Sequence, residues 1–163
     1  MSELTHFDKQ GNAQMVNISD KAVTRRVAIA EGCILLNEKT LQAILSGKSA
    51  KGDVLGVARL AGIMAAKRTS ELIPLCHSIS LSSIEVNFET QSKPPAVVCR
   101  SRAEIDAKTG IEMEAITAVQ IALLTVYDMC KAMDRGMVID NIRLIEKSGG
   151  RSGTWHRPEN SSV

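Results

Sequence analysis

Alternating apolar and polar residues mark four stretches of this chain as strands. They run from Thr24 to Leu36, Ser82 to Glu89, Val97 to Ile105 and Val138 to Ile145. Because successive side chains of a strand point to opposite faces, this period-2 pattern predicts a sheet with one face in a core. The turn Lys93-Pro94-Pro95 joins the second and third strands into a predicted hairpin.

Three segments between these strands have the longer apolar runs and capping residues of helices. Asn37 and Asp53 are predicted N-caps, and Pro74 is a predicted stop because proline cannot continue a helix. The predicted helices are Glu38 to Leu45, Asp53 to about Leu72, and Gly110 to near Gly136.

The order strand, helices, strand, strand, helix, strand predicts an α+β fold of the ferredoxin-like, split βαβ type. Its antiparallel sheet would carry the helices on one face. The mixed small and polar residues Arg26, Ala28, Ala30 and Gly32 are assigned to the uncovered face, where we expect a second subunit rather than lipid. We expect one domain at 15–151, between a flexible N-terminal arm at 1–14 and a flexible C-terminal tail at 152–163.

Composition excludes several classes of protein. The formal net charge is only +2 and aromatic residues make up 2%, which argues against nucleic-acid binding, where basic patches and stacking aromatics are usual. The four cysteines form no CxxC pair, so free thiols in a reducing cytoplasm are expected, with no metal site. The start of the chain lacks a basic-then-apolar leader, and no run approaches the roughly 18 apolar residues of a membrane span.

Asp128 and Lys131 lie three residues apart in the last predicted helix, so an acid and a base share one helix face. The plain alternative is an exposed ion pair, which stabilises a helix by only ~0.3–0.5 kcal/mol. Few other charges flank the pair, and this favours a partly desolvated cleft. There the pKa of the Asp would rise and that of the Lys would fall toward the range useful for proton transfer.

Three further clusters combine cations or proton-transfer groups with glycine or a loop. Lys51-Gly52-Asp53 opens a helix and suits a phosphate, although a capped helix with a solvated lysine explains it too. Leu75-Cys76-His77 follows Pro74, where a lone histidine is more often a hydrogen-bonded surface residue than a catalyst. Lys147-Ser148-Gly149-Gly150-Arg151 leaves the last strand either as a glycine turn around an anion or as a polar strand exit. Together the clusters favour acid–base chemistry on a polyphosphate-bearing substrate.

Six short motifs, taken in order, carry a specific resemblance. They are Lys51-Gly52-Asp53, Ala66-Lys67-Arg68-Thr69, Leu72-Ile73-Pro74-Leu75-Cys76-His77, Thr109-Gly110-Ile111-Glu112-Met113-Glu114-Ala115, Tyr127-Asp128-Met129-Cys130-Lys131-Ala132 and Lys147-Ser148-Gly149-Gly150. This set resembles the cyclic pyranopterin monophosphate synthase family of molybdenum cofactor biosynthesis. The similarity spans about Leu4 to Gly153.

The resemblance implies a lyase that converts 3′,8-cyclo-7,8-dihydro-GTP, a nucleotide-derived small molecule, into cyclic pyranopterin monophosphate and pyrophosphate. It also implies a ferredoxin-like fold and a homohexamer, a trimer of dimers with sites at dimer interfaces. It implies no tightly bound cofactor, and leaves open whether Mg²⁺ accompanies the pyrophosphate.

By the same resemblance, Asp128 is catalytic, with Lys51 and Lys131 essential beside it. The purine-derived part of the substrate would contact Leu75, Cys76 and His77, and the segment Glu112, Met113 and Glu114. Arg26 and Lys147 would meet the triphosphate.

Two positions depart from the family pattern: Asn17 stands where many members have Asp, and Ser78 stands where Pro is usual after Cys-His. Two other classes of function explain less of the sequence. A nucleotide-sensing module would explain the cations but not the Asp–Lys pair. An RNA-binding sheet would require exposed aromatics on the central strands, where the chain has only Phe88.

Overall fold

The computed structural model describes residues 6–8, 10–47, 52–151 and 153–158. Its nine elements are β1 (Thr24–Leu35), α1 (Glu38–Leu45), α2 (Val54–Ala66), α3 (Thr69–Leu72), β2 (Ser83–Ser92), β3 (Pro95–Ala107), α4 (Glu112–Cys130), β4 (Val138–Ser148) and β5 (Trp155–His156).

The strands form one antiparallel sheet in the order β2-β3-β1-β4-β5. The first four strands have the ferredoxin-like arrangement, so the predicted α+β, split βαβ fold is confirmed. β5 pairs with the end of β4, in a segment assigned from the sequence to a loose tail.

Sheet pairing also fixes the direction of the two long helices. β3 and β4 both run antiparallel to β1, so α4, which connects them, runs parallel to β1. β2 runs parallel to β1, so α2, which lies between those strands, runs the opposite way. The start of α2 and the end of α4 therefore lie at one end of the domain. The starts of α4 and β1 and the end of β4 lie at the other.

Capping explains where the helices begin. The Asn37 side chain accepts a hydrogen bond from the Thr40 amide, and the Asp53 side chain accepts one from the Gly56 amide. Both predicted N-caps are confirmed, because each carboxylate or amide oxygen satisfies an amide that the first turn leaves without a partner.

Two helices are shorter than predicted. The helix expected to reach Leu72 stops at Ala66, and α3 follows as a separate turn. The Arg68 amide donates to the Ala65 carbonyl and the Thr69 hydroxyl to the Ala66 carbonyl, so they satisfy acceptors at the end of the helix. α4 ends at Cys130 rather than near Gly136.

The end of α4 is held by Asp134. Its carboxylate accepts hydrogen bonds from the amides of Asn37 and Gly136. The chain after the helix is thereby tied to the loop that follows β1.

The assignment of the sheet faces was wrong. Ala28, Ala30 and Gly32 are buried against the helices, not on the uncovered face. A Cβ on Gly32 would lie 3.0 Å from Val119 and 3.2 Å from Leu123, both on α4. Small residues are therefore required here because the helix packs closely on the sheet.

The uncovered face carries the alternate residues of β1. Glu31 on that face pairs with Arg100 at 2.5 Å and with Arg143 at 3.5 Å. Alternation alone could not decide which face meets the helices, since small residues suit both a close helix and a neighbouring subunit.

α4 is long and apolar enough to cross a membrane by length and composition alone, although polar residues interrupt its apolar run. It packs on β1, β3 and β4. Its buried side includes Ala118, Val119, Ala122 and Leu123. More than half of its apolar window is buried in the domain. This marks α4 as a core helix.

Candidate functional site

One cavity of about 480 Å³ collects most of the residues that the sequence proposed for substrate binding. It lies at the start of α4, and we call this end of the domain the cavity end. Seven of the eight proposed binding residues line it: Leu75, Cys76, His77, Glu112, Met113, Glu114 and Lys147. Its volume is in the usual range for a small-molecule site.

The first turn of α4 contributes two carboxylates to the cavity. Glu112 accepts a hydrogen bond from the Lys147 ammonium at 3.0 Å, which joins the helix to the end of β4. Glu114 is only 4% exposed. Its burial raises the pKa of the carboxyl to about 7, and the nearby Glu112 charge adds to the rise. Glu114 is therefore poised to exchange a proton near neutral pH.

The loop after α3 contributes a thiol and an imidazole. Burial raises the pKa of the Cys76 thiol, and the Glu114 carboxylate raises it further, so Cys76 is a neutral thiol in this cavity. The His77 Nε2 lies 2.8 Å from the Val16 carbonyl. A carbonyl only accepts, so this nitrogen carries the hydrogen and Nδ1 of the neutral ring is left as an acceptor.

The segment before β1 closes one side of the cavity, and sequence reasoning missed it. Val16, Ile18 and Lys21 line the cavity, as does His6 of the predicted flexible arm. Lys108 donates to the Ser19 carbonyl at 2.6 Å and holds this segment in place. No local pattern marks these residues, because long-range hydrogen bonds bring them to the site.

Asn17 lies in this segment, at one of the two departures from the family pattern. Its side-chain oxygen accepts a hydrogen bond from the Ser19 amide at 2.8 Å. A carboxylate can make the same bond, so the turn does not depend on which of the two residues is present.

Arg26 is not in this cavity but in a neighbouring one of about 560 Å³. It lies on the helix side of β1, and its Nε donates to the Ala107 carbonyl at 3.3 Å. Lys21 lines both cavities, so the two are adjacent.

Asp128 and Lys131 lie at the opposite end of α4, which we call the Asp128 end. Sixteen positions separate Glu112 from Asp128, so the two are about 24 Å apart along the helix. The Lys131 ammonium is 2.5 Å from the Asp128 carboxylate, and their side chains are 55% and 58% exposed. Within one protomer, the pair does not reach the cavity.

The expectation of a partly desolvated cleft around this pair is wrong for the protomer. The hydrogen bond and the charge of Asp128 raise the pKa of Lys131, the opposite of the predicted direction. Lys51, the third residue proposed as catalytic, lies outside the described residues.

Among the described residues, no three His, Cys, Asp or Glu side chains are grouped so as to hold a metal ion. The four cysteines are all free thiols.

Fold and site together define a ferredoxin-like domain with a cation-lined cavity and a buried carboxyl of nearly neutral pKa. The model of the MoaC family matches residues 15–150. The chain belongs to this family.

Three relatives, each named cyclic pyranopterin monophosphate synthase, match almost the whole chain. The protein of Thermomicrobium roseum is 56% identical over 99% of this chain and 98% of its own length. Those of Heliobacterium modesticaldum and Novosphingobium aromaticivorans are each 55% identical over 98% of this chain and 100% of their own.

Proposed function

We propose that this protein is a lyase of molybdenum cofactor biosynthesis. It converts (8S)-3′,8-cyclo-7,8-dihydroguanosine 5′-triphosphate into cyclic pyranopterin monophosphate and pyrophosphate. Full-length relatives at 55–56% identity support this assignment. The observation that carries it is the cavity, which draws Leu75–His77, Glu112–Glu114 and Lys147 from three separate segments to one place.

The cavity offers what the ring rearrangement needs. Opening the guanine-derived ring and closing it again as a pterin takes several proton transfers. Glu114, buried and with a pKa of about 7, and His77, whose Nε2 is bonded to the Val16 carbonyl, both line the space where the ring would lie. Apolar contacts from Leu75 and Met113 would hold the ring, while Cys76 would contribute a neutral thiol.

Cations at the cavity end suit the triphosphate. Lys147 lines the cavity and Arg26 lines the adjacent one. Their charges would offset the negative charge that develops as pyrophosphate leaves. We propose no tightly bound cofactor, and any Mg²⁺ would arrive with the phosphates rather than in a site of its own.

The catalytic set that we propose is Asp128 with Lys51 and Lys131. Asp128 lies about 24 Å from Glu112 of the cavity along α4, and Lys131 lies almost one turn beyond it. A complete site therefore requires the Asp128 end of one copy to meet the cavity end of another. This supports a homo-oligomer, which we propose is a homohexamer built as a trimer of dimers with sites at the dimer interfaces.

We place the enzyme in the cytoplasm. Four free thiols fit a reducing compartment, and neither the domain nor its substrate requires a membrane.

Mixing two inactive variants tests this proposal directly. Asp128→Ala removes the catalytic carboxylate, and His77→Ala disables the cavity, so each protein alone should fail to turn over the cyclised dihydro-GTP. If each site draws on two copies, unfolding and refolding an equimolar mixture should restore about one quarter of the wild-type sites, since half of the dimers are mixed and each has one intact site.

The control is the same mixture combined without refolding, which should stay inactive if subunits exchange slowly. A mixture that remains inactive after refolding would contradict the shared site. Wild-type protein that forms no product from this substrate would contradict the proposed reaction itself.

A further inference from the structure

A lysine outside the cavity holds the segment that closes it. The Lys108 ammonium donates a hydrogen bond to the Ser19 carbonyl at 2.6 Å, across 89 positions of the sequence. Ser19 belongs to residues 16–21, which form one side of the cavity and which we call the wall segment. Lys108 is not among the described residues that line this cavity or the one around Arg26. Its contact is therefore with the wall segment rather than with a molecule in the cavity.

The position of Lys108 in the fold explains how it reaches Ser19. Ala107, the last residue of β3, pairs with Thr24, the first residue of β1. Thr109 and Gly110, which follow Lys108, line the cavity. Lys108 thus lies between the sheet and the cavity, beside the chain that enters β1. From there its long side chain extends back to the segment that precedes this strand.

The wall segment has little apolar packing of its own. Val16 and Ile18 are only half-buried, and neither is among the described residues that form the hydrophobic core or pack against it. Asn17 and the residues from 19 to 21 are exposed. A segment that buries so little apolar surface depends on hydrogen bonds for a fixed position.

Hydrogen bonds inside the wall segment give it a shape but not a position. The Asn17 side chain accepts a hydrogen bond from the Ser19 amide at 2.8 Å, and the Ile18 carbonyl accepts one from the Lys21 amide at 3.1 Å. Both bonds close the turn on itself, so neither joins it to the rest of the domain.

Two hydrogen bonds from outside, among the described residues, fix the wall segment on the domain. One runs from Lys108 to the Ser19 carbonyl, and the other joins the His77 Nε2 to the Val16 carbonyl at 2.8 Å. The bond from Lys108 is charge-assisted and therefore the stronger type. Because the turn between the two carbonyls is closed by its own bonds, an anchor at Ser19 also fixes the Val16 carbonyl.

We propose that Lys108 is a positioning residue for the reaction: it anchors the wall segment, and the Val16 carbonyl held in this way fixes the tautomer and the orientation of the His77 ring. The inference rests on the proposed function and adds to it a residue outside the cavity. With the hydrogen held on Nε2, Nδ1 is the ring nitrogen able to take up a proton. Without the anchor, either nitrogen can carry the hydrogen.

Nitrogen NMR of protein labelled with nitrogen-15 in histidine reads the tautomer directly. The chain has three histidines, and the signal that is missing in His77→Ala identifies His77. At alkaline pH, where imidazole is neutral, wild-type His77 should show one tautomer with the hydrogen on Nε2. Lys108→Met keeps the length of the side chain without its charge and should give a mixture of both tautomers. A general loss of stability would leave the tautomer of the folded protein unchanged.

Hydrogen exchange measures the anchor without any turnover. In Lys108→Met, the amides of the wall segment should exchange at least about tenfold faster, because a hydrogen bond from a charged donor is lost. Amides in the middle of α4 should keep their wild-type rates. Lys108→Arg retains a charged donor and should keep most of the protection. Lys39→Met removes an exposed cation on α1 and is the matched control, which should change neither exchange nor tautomer.

Steady-state kinetics connects the anchor to the reaction. In Lys108→Met, kcat/KM should fall about 10–100-fold, since a small misplacement of a reacting group has an effect of this size. Most of the loss should be in kcat, because His77 is misoriented in the bound complex. Lys108→Arg should recover activity to within about threefold of wild type. A loss confined to KM would overturn the inference, because the wall segment would then serve binding alone.

The outcomes separate this inference from the proposed function. If the wild-type protein turns over the substrate and Lys108→Met retains a single His77 tautomer, only the inference is wrong. Mixed tautomers with wild-type kcat would overturn it as well, because the tautomer would then have no bearing on the reaction. If the wild-type protein forms no product from the cyclised dihydro-GTP, the proposed function is wrong, and the exchange rates and ring signals still decide whether Lys108 holds the wall segment.

Discussion

The two ends of α4 differ in almost every property that matters for chemistry. At the cavity end, Glu114 is buried, its pKa is raised to about 7, and hydrogen bonds from distant segments position the groups around it. At the Asp128 end, the ion pair with Lys131 is exposed on both sides. One protomer therefore has an enclosed cavity at one end of α4 and an exposed ion pair at the other. In the assembly that we propose, the Asp128 end of one copy would meet the cavity end of another.

The largest effect on activity is expected from a substitution at the Asp128 end. Asp128→Asn should lower kcat/KM by about 10²–10⁴-fold, the usual contribution of a general acid or base, because the amide cannot take up a proton. The melting temperature should hardly change, since the side chain is more than half exposed. Steady-state assay and a melting curve measure both.

Glu38→Gln is the control for this substitution, since Glu38 is also an exposed helical carboxylate. Wild-type turnover in the Asp128 variant would show that this end of the helix has no catalytic role.

The buried carboxyl of Glu114 at the cavity end should make the free energy of unfolding depend on pH. Below its ordinary pKa of 4.5, Glu114 is protonated in both the folded and the unfolded chain, and burial carries no electrostatic cost. As the pH rises from there to about 7, the unfolded chain loses this proton first, so the free energy of unfolding falls. Above that window the loss is complete, on the order of 3 kcal/mol.

Glu114→Gln removes this titration. Its melting temperature relative to wild type should therefore increase as the pH is raised from 5 to 8, whatever happens to activity. Glu85→Gln, an exposed carboxylate on β2, is the control. A difference between Glu114→Gln and wild type that stays constant over this range would show that the carboxyl is not held protonated in the fold.

A substitution between the two ends of α4, where α2 packs against it, should have a smaller effect, and this effect is on stability. A Cβ on Gly62 would lie 2.8 Å from the Ala118 carbonyl oxygen and 3.2 Å from the Ala122 Cβ. Gly62→Ala should destabilise the fold by about 1–2 kcal/mol, because crowding between backbones outweighs the better helix propensity of alanine. Chemical denaturation measures this loss.

At temperatures well below the transition, KM for this variant should stay at the wild-type value. Leu60→Ala on the exposed side of the same helix should cost less than about 0.5 kcal/mol. A raised KM in Gly62→Ala would mean that the helix spacing tunes the cavity as well as the core.

The smallest effect is expected at Asn17. Asn17→Asp keeps the acceptor for the Ser19 amide, so kcat/KM should change by no more than about twofold. A larger gain would show that a carboxylate at this position takes part in the chemistry, and that this chain works without it.

Local pattern was enough for most of the fold. Period-2 alternation located the four main strands, and the caps Asn37 and Asp53 located two helix starts, because these signals depend on a few neighbouring residues. The short pairing of β5 with β4 gave no such signal. Its two residues pair only because β4 offers an edge.

Local pattern likewise predicted only those parts of the site that are clustered in the sequence. Leu75–His77 and Glu112–Glu114 could be proposed because each is a dense local cluster of functional groups. Lys21 and Val16 carry no pattern of their own, and only the hydrogen bonds from Lys108 and His77 show that their segment closes the cavity.

By itself, the sequence determined the elements, their order and the local clusters of ionisable groups, because these follow from the spacing of side chains along the backbone. Only the tertiary structure decided which face of β1 meets α4, that Glu114 is buried, and that Asp128 lies a helix length from the cavity. Burial and separation depend on how distant segments pack, and the pKa of a carboxyl follows the solvent that packing removes.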